Sequence, residues 1–343
     1  MDVTVEGLNA VTREYRIGTP SIEDITDTYY LLELLKARNS LTVQGGTTIQ
    51  ERVRLHKGRR GGFYTGADPV SHVTSQPYSY ASYPWCHQYE PAAVLFTDIL
   101  KCSGPEAVID LLQDESISAL QRMILCQDDA GNVEGLAKDI FNTLNTSDAA
   151  AAKKFCGIGR MLTTNRELGG ITSNTASARI DQWNPHVVDM GPDAGDLPLT
   201  VPKIAQTIRD TIFGKNGPTV GIYTPALMER LETIFQTYVR YRNEELKQIR
   251  GGVENILILG VPITEDRNII TPAYEEANGG QIWFLDLDSF KMVFHSDDFM
   301  KTSEWVKAEN QFAYQKDITL TMTLSYKRPR TNAKMYDINP IAV

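Results

Sequence analysis

Residues 49–56 alternate as a β-strand does: Ile49, Glu51, Val53 and Leu55 point one way, and Gln50, Arg52, Arg54 and His56 the other. The run leads into Lys57-Gly58-Arg59-Arg60-Gly61-Gly62. A second β-like run follows near Val73–Tyr89, carrying Tyr78, Tyr80, Tyr83 and Trp85. The pair reads as a long hairpin with a glycine-rich, basic tip. A two-stranded hairpin alone is marginal in water. One that projects from a globular body must lie on something, and in an assembly it becomes a clasp.

A helical stretch downstream has the same consequence. Ser103-Gly104-Pro105-Glu106 matches a capping box with proline at the first helical position. Val108, Leu111, Leu112, Ala119, Leu120, Met123 and Ile124 follow at helical spacing. The pattern continues through Leu136, Ile140 and Leu144, interrupted by Gly131 and Gly135. A helix of about 40 residues would be about 60 Å long. That is a strut, too long to bury in one compact domain.

Around these features the chain changes character several times. Residues 1–20 are polar and read as an extended arm. Ser21 caps a helical stretch whose apolar stripe is Ile22, Ile25, Tyr29, Leu32 and Leu35. Residues 146–200 are rich in loop formers. From Pro202 an α/β region begins: a helix through Ile204, Ile208 and Ile212, a strand at Thr219–Tyr223, and a helix opened by Pro225. Ile256–Gly260 reads as a buried strand. Gln281–Leu287 reads as another, with Lys291–His295 as its hairpin partner. Ile318–Tyr326 places Ile318, Leu320, Met322 and Leu324 on one face and Thr319, Thr321, Thr323 and Ser325 on the other.

Composition narrows the function classes. A chain of 343 residues predicts two lobes or one elaborate fold. Apolar residues at 42% and charged residues at 22% fit a folded globular protein. The net charge of −9 argues against specific duplex-DNA recognition. It suits a container for packed nucleic acid, whose mildly repulsive wall does not trap its contents. Cys86, Cys102, Cys126 and Cys156 have no metal-knuckle spacing and read as free thiols of a reducing cytoplasm. Met1–Asn9 holds no leader pattern, and no apolar run approaches the roughly 20 residues of a membrane span.

Candidate chemical sites have simpler explanations. None of His56, His72, His87, His186 and His295 has metal-ligand spacing to a neighbour. Gly157-Ile158-Gly159-Arg160 lacks the third glycine, the lysine and the preceding strand of a phosphate loop. It reads as a turn. Asp286-Leu287-Asp288 could pair carboxylates on a divalent cation, as in a metal-dependent α/β transferase, but a turn explains it more simply. His295-Ser296-Asp297-Asp298 invites a triad without any nucleophile-elbow pattern. No catalytic residue, metal or cofactor is expected. The basic hairpin residues Arg52, Arg54, Lys57, Arg59 and Arg60 carry more weight. The strut helix carries Glu106, Asp110, Asp114, Glu115, Asp128 and Asp129. If the hairpin of one copy lies over the helix of the next, Arg52, Arg54, Lys57, Arg59 and Arg60 face Glu106, Asp110, Asp114 and Glu115. The alternative is a solvated tip.

The order of these segments resembles the major capsid proteins of tailed bacteriophages, the Hong Kong 97-like α+β capsid fold. The likeness runs from about Ser21 to Ile338. Gly45-Gly46-Thr47 stands where the family's extended loop begins, and the Tyr78–Trp85 run sits on its return strand. Gly104–Leu112 opens what would be the spine helix. Gly157, Gly169-Gly170-Ile171 and Trp183-Asn184-Pro185 resemble the connection to the axial lobe. Leu259–Ile263, Gln281–Asp286 and Leu324–Asp337 resemble its later strands.

The resemblance implies an N-terminal arm at 1–43 and an extended loop at 44–90. It implies a peripheral domain of 91–150 and 276–343, with spine helix and closing strands, and an axial domain of 151–275. It further implies pentamers and hexamers of this chain in an icosahedral head around double-stranded DNA, assembled in the host cytoplasm. The expected partners are copies of itself, a scaffolding protein, a portal and a decoration protein, with no membrane. An encapsulin-like nanocompartment shell is the nearest alternative. Some relatives weld subunits through a loop lysine and a distant asparagine; Lys57, Asn332 and Asn339 are present, but no crosslink is expected from their spacing.

Overall fold

The computed structural model describes residues 30–54, 63, 65–66, 78–101, 111–124, 126–127, 133–144, 153–164, 166–172, 183–191, 198–236, 256–266, 269, 280–309 and 311–339. The polar arm, the start of the first helix, the basic tip with Lys57, Arg59 and Arg60, and the capping box with Glu106 and Asp110 lie outside these residues.

In chain order the first elements are α1 (Tyr30–Asn39), β1 (Ser40–Val43), β2 (Thr48–Arg54), β3 (Tyr78–Pro84), β4 (Cys86–Leu95), α2 (Phe96–Lys101) and α3 (Leu111–Ile124). Then come β5 (Cys126–Gln127), β6 (Val133–Glu134), α4 (Leu136–Asp139), α5 (Ile158–Met161), β7 (Glu167–Leu168), β8 (Ile171–Thr172), β9 (His186–Asp189) and α6 (Val201–Thr211). The last are β10 (Val220–Tyr223), α7 (Met228–Gln236), β11 (Ile256–Ile258), β12 (Val261–Glu265), β13 (Gly280–Leu285), β14 (Phe290–His295), β15 (Lys301–Thr302), β16 (Val306–Lys307), β17 (Ala313–Tyr326) and β18 (Ala333–Ile338).

Two six-stranded sheets organise the chain. One runs β11-β12-β10-β13-β18-β9. Its strand β13 is buried at every position. Ile282 and Phe284 enter one core with Ile204 and Ile208 of α6 and Leu231 of α7. Trp283 and Leu285 enter the other, shared with Phe141 and the second sheet. Each such side chain contributes about 1.5–3 kcal/mol through burial. Helix α6 starts where Thr200 accepts from Lys203 N–H, with Pro202 in the first turn.

The second sheet is built on β17. Met322 pairs with Phe294 of β14 and also with Cys86 of β4. So β4 runs along one edge of β17, and β14, β15 and β16 along the other. Strand β1 adds to β14 in parallel. Helix α3 lies over one face of β4, where Ala92, Val94, Ala119, Met123 and Ile124 are buried.

Two expectations are corrected here. Lys291–His295 is not the hairpin partner of Gln281–Leu287: β13 pairs with β10 and β18, and β14 with β1 and β17. The chain changes sheets through a 3-10 turn at Leu287–Ser289, capped by the Asp286 carboxylate accepting from Asp288 N–H. The strut is not one helix from Val108 to Leu144 either. The described helix ends at Ile124, and Cys126–Gln127 pairs with Val133–Glu134 in a short ladder. Gly135, at φ 110°, then starts a separate one-turn helix.

The two glycines of Gly157-Ile158-Gly159 serve packing. A Cβ on Gly157 would lie 2.5 Å from Asn142 O, and one on Gly159 2.5 Å from Phe141 O. Bare backbone lets Ile158 N–H reach Ile140 O at 2.7 Å and Arg160 N–H reach Asn142 O at 3.1 Å.

Candidate functional site

The chain covers some of its projecting surfaces by itself and leaves others open. The base of the hairpin is satisfied. Strands β2 and β3 pair from Thr48↔Pro84 to Arg54↔Tyr78. Val53, Ala81 and Tyr83 are buried in the body. Tyr83 O–H donates to Tyr326 O at 3.2 Å, and Ser82 N–H donates to Gly169 O at 2.9 Å. Burial pushes the Tyr83 phenol far above its ordinary value, against that hydrogen bond and the nearby Arg166. Arg166 is itself buried, and both its terminal nitrogens donate to Trp183 O. Burial lowers its guanidinium to about 9.

The predicted clasp residues divide. Arg52 is exposed and stacks 3.8 Å from the centroid of the Tyr78 ring, on the hairpin's outer face with Tyr80. Arg54 lies on β2, and Asp114 on α3. Glu115 already has a partner in its own subunit: Arg122 Nη2 donates to it at 2.8 Å, while Arg122 Nε donates to Glu90 at 2.8 Å. This network edges a cleft of about 300 Å³ that also holds the Lys154–Asp139 pair at 2.8 Å. Its charges neutralise one another.

Asp286 and Asp288 do not converge on a cation. The Asp286 carboxylate accepts from Thr331 Oγ1–H at 2.7 Å and from Asp288 N–H at 3.1 Å, with Arg328 Nη2 3.6 Å away. Burial raises its carboxyl above the usual value despite Thr331 and Arg328. Among the described residues no group of three or more His, Cys, Asp or Glu side chains could hold a metal. Asn332 is fully buried and engaged, accepting from Asp286 N–H at 2.8 Å and donating to Ser289 Oγ at 2.9 Å. His295 and Asp298 form no triad: Asp298 accepts from the hydroxyls of Thr319 and Thr321, and His87 Nδ1 lies 2.7 Å from Thr321 Oγ1.

One surface missed by sequence reasoning is the outer face of β4. Tyr89 is 70% exposed and Leu95 52%, with exposed Pro91 and Ala93 between them. Across the sheet, Ala93 pairs with Gln315, which pairs with Val306, itself 58% exposed. The apolar row on β4 lies opposite the face that α3 covers, and exposed Gln315 and Asp317 separate it from Val306. The alternation of residues 87–95 was its signal, hidden by the aromatic run before it.

No protein-family model and no curated protein matches the sequence. Solved structures do. The capsid asymmetric unit of cyanophage A-1(L) matches with TM-score 0.58 at 14% identity, over 98% of this chain and 98% of that one. This is the Hong Kong 97-like capsid fold. The holo-SrpI encapsulin complex of Synechococcus elongatus matches with TM-score 0.56 at 10% identity, over 98% and 96%. The capsid of a native GTA particle matches with TM-score 0.55 at 10% identity, over 95% and 93%. Among the described residues no helix is long and apolar enough to cross a membrane.

Proposed function

We propose that this chain is the major capsid protein of a tailed bacteriophage, assembling into pentamers and hexamers of an icosahedral head around double-stranded DNA. The observation that carries the reading is the end-to-end match with a phage capsid chain, 98% of each covered. The open strip on β4 supports it, because contiguous exposed apolar surface marks an interaction site. Under this reading residues 1–43 are the arm, 44–90 the extended loop, 91–150 with 276–343 the peripheral domain, and 151–275 the axial domain. The chain acts by contact and catalyses nothing. Its partners are further copies of itself, a separate scaffolding protein, a portal and a decoration protein. It encloses DNA without reading sequence, as the net charge of −9 suits. Its place is the virion, after assembly in the host cytoplasm.

In the clasp, Arg52, Arg54, Lys57, Arg59 and Arg60 of one copy face Glu106, Asp110 and Asp114 of the next. Glu115 joins only by sharing Arg122. A second reading, an encapsulin-like nanocompartment, is favoured by the match with the holo-SrpI complex. Negative-stain imaging of the expressed protein, alone and with a scaffold, separates the readings. Closed shells that package DNA support the phage head; shells with protein cargo support the nanocompartment. A monomer under every condition contradicts both.

A further inference from the structure

We propose that Pro91 and Arg122 close the free edge of β4 to strand addition by a second copy of the chain. Among the described residues β4 pairs with β17 alone. Its far edge is ten residues long. Open backbone of that length is a template on which another copy's strand can form hydrogen bonds.

The register shows which groups face that edge. Phe96, the residue after β4, donates its N–H to Phe312 O at 2.9 Å. Hydrogen-bonded pairs recur at every second residue of an antiparallel ladder. The even-numbered residues from Cys86 to Val94 therefore turn their backbone groups toward β17, opposite Met322 to Tyr314. The other side of β17 agrees. Thr321 N–H donates to Asp298 O, and Asp317 O accepts from Ser303 N–H, both away from β4. His87, Tyr89, Pro91, Ala93 and Leu95 thus turn their backbone groups outward.

Pro91 is the midpoint of this outward set. Proline has no N–H, and at an inward position it would remove a ladder bond; here it removes none. The missing donor falls where the carbonyl of an added strand would need one. The acceptor at the same point is already engaged: Arg122 Nη2 donates to Pro91 O at 3.2 Å. Arg122 reaches the edge from α3, held by Glu90 and Glu115 at 2.8 Å each. Its guanidinium stands where an added strand would lie. Two copies aligned antiparallel about Pro91 would also bring two such cations together, which opposes pairing. Strand β4 therefore refuses a partner strand at its edge and keeps its outer face for side-chain packing.

The plug belongs to the single chain and holds whatever the copies build. Pro91→Val supplies the missing N–H on a strand-favouring residue, and Arg122→Met removes the cation while keeping an apolar stem. The full-length double variant should keep its native near-UV circular dichroism. It should form oligomers, by sedimentation velocity, at concentrations about tenfold or more below the wild-type threshold, with the infrared signature of intermolecular β-sheet. A double variant that stays at the wild-type threshold overturns the proposal. Residue-resolved hydrogen exchange on the wild-type chain needs no variant to fold. The amides of Glu90, Ala92 and Val94 should exchange about tenfold or more slowly than those of Tyr89, Ala93 and Leu95, in the dilute chain and in any assembly it forms. Outward amides as protected as the inward ones, in either state, overturn the proposal.

Discussion

Strands β13 and β4 invite comparison, since each lies in a six-stranded sheet of the same chain. Strand β13 is buried along its whole length, its side chains alternating between two cores. Strand β4 buries Ala92 and Val94 under α3 and leaves Tyr89, Pro91, Ala93 and Leu95 in the open. The first sheet is completed by the chain's own helices. The second is covered on both faces of β17 from Leu320 to Tyr326, and is left open on one face along β4. The lesson is a division of labour: the β13 sheet stabilises the chain, while the outer face of β4 is left open, where the proposed assembly would seat a neighbour.

Substitutions can break or sharpen this contrast. Trp283→Ala should destabilise the isolated chain by about 3–5 kcal/mol, since a fully buried indole leaves a cavity against Phe141. Urea unfolding measures it, and a loss below about 1 kcal/mol would erase the contrast. Asp298→Asn should cost about 1 kcal/mol at neutral pH through two weakened charge-assisted hydrogen bonds to Thr319 and Thr321, which solvent partly screens. The folded-state pKa of Asp298 is depressed, so its stabilisation is present above the unfolded value and lost as pH falls through the folded one. The gap between wild type and Asp298→Asn should therefore close below about pH 4.

Tyr83→Phe should cost about 1 kcal/mol, because it removes the buried bond to Tyr326 O that ties the hairpin base to β17. The change should appear in the urea midpoint with no change in slope. Arg122→Ala should cost only about 0.5 kcal/mol, its ion pairs with Glu90 and Glu115 being partly exposed. If it also strengthens assembly, Glu115 freed from Arg122 has joined the clasp.

Much of this was legible in the sequence, for reasons that differ by element. The alternation of Ile49–Val53 and of Ile318–Leu324 marks strands, and both are strands. Yet Thr321, Thr323 and Ser325, on the polar face of that alternation, are buried as well. The hairpin base covers one end, where Ser325 Oγ–H reaches Glu51, and the Asp298 turn covers the other. Contacts 274 and 23 residues apart in sequence leave no local pattern. The same blindness produced the false hairpin of β13 with β14. A short gap predicts a hairpin, and only the Asp286 cap and the pull of two cores send the chain into another sheet. Strand β9, Ser-poor and flanked by prolines, was hidden in a loop-rich stretch because its pairing with β18 is remote. Of the clasp, the sequence displayed the charges, but not that Glu115 is shared with Arg122.

The most direct test combines Tyr89→Asp with Leu95→Asp and follows folding and assembly together. Urea unfolding of the unassembled chain reads the first, sedimentation velocity with negative-stain imaging the second. The expected result is a chain within about 0.5 kcal/mol of wild-type stability that no longer forms shells. Shells formed as readily as by the wild type would contradict the account, as would a variant chain that cannot fold.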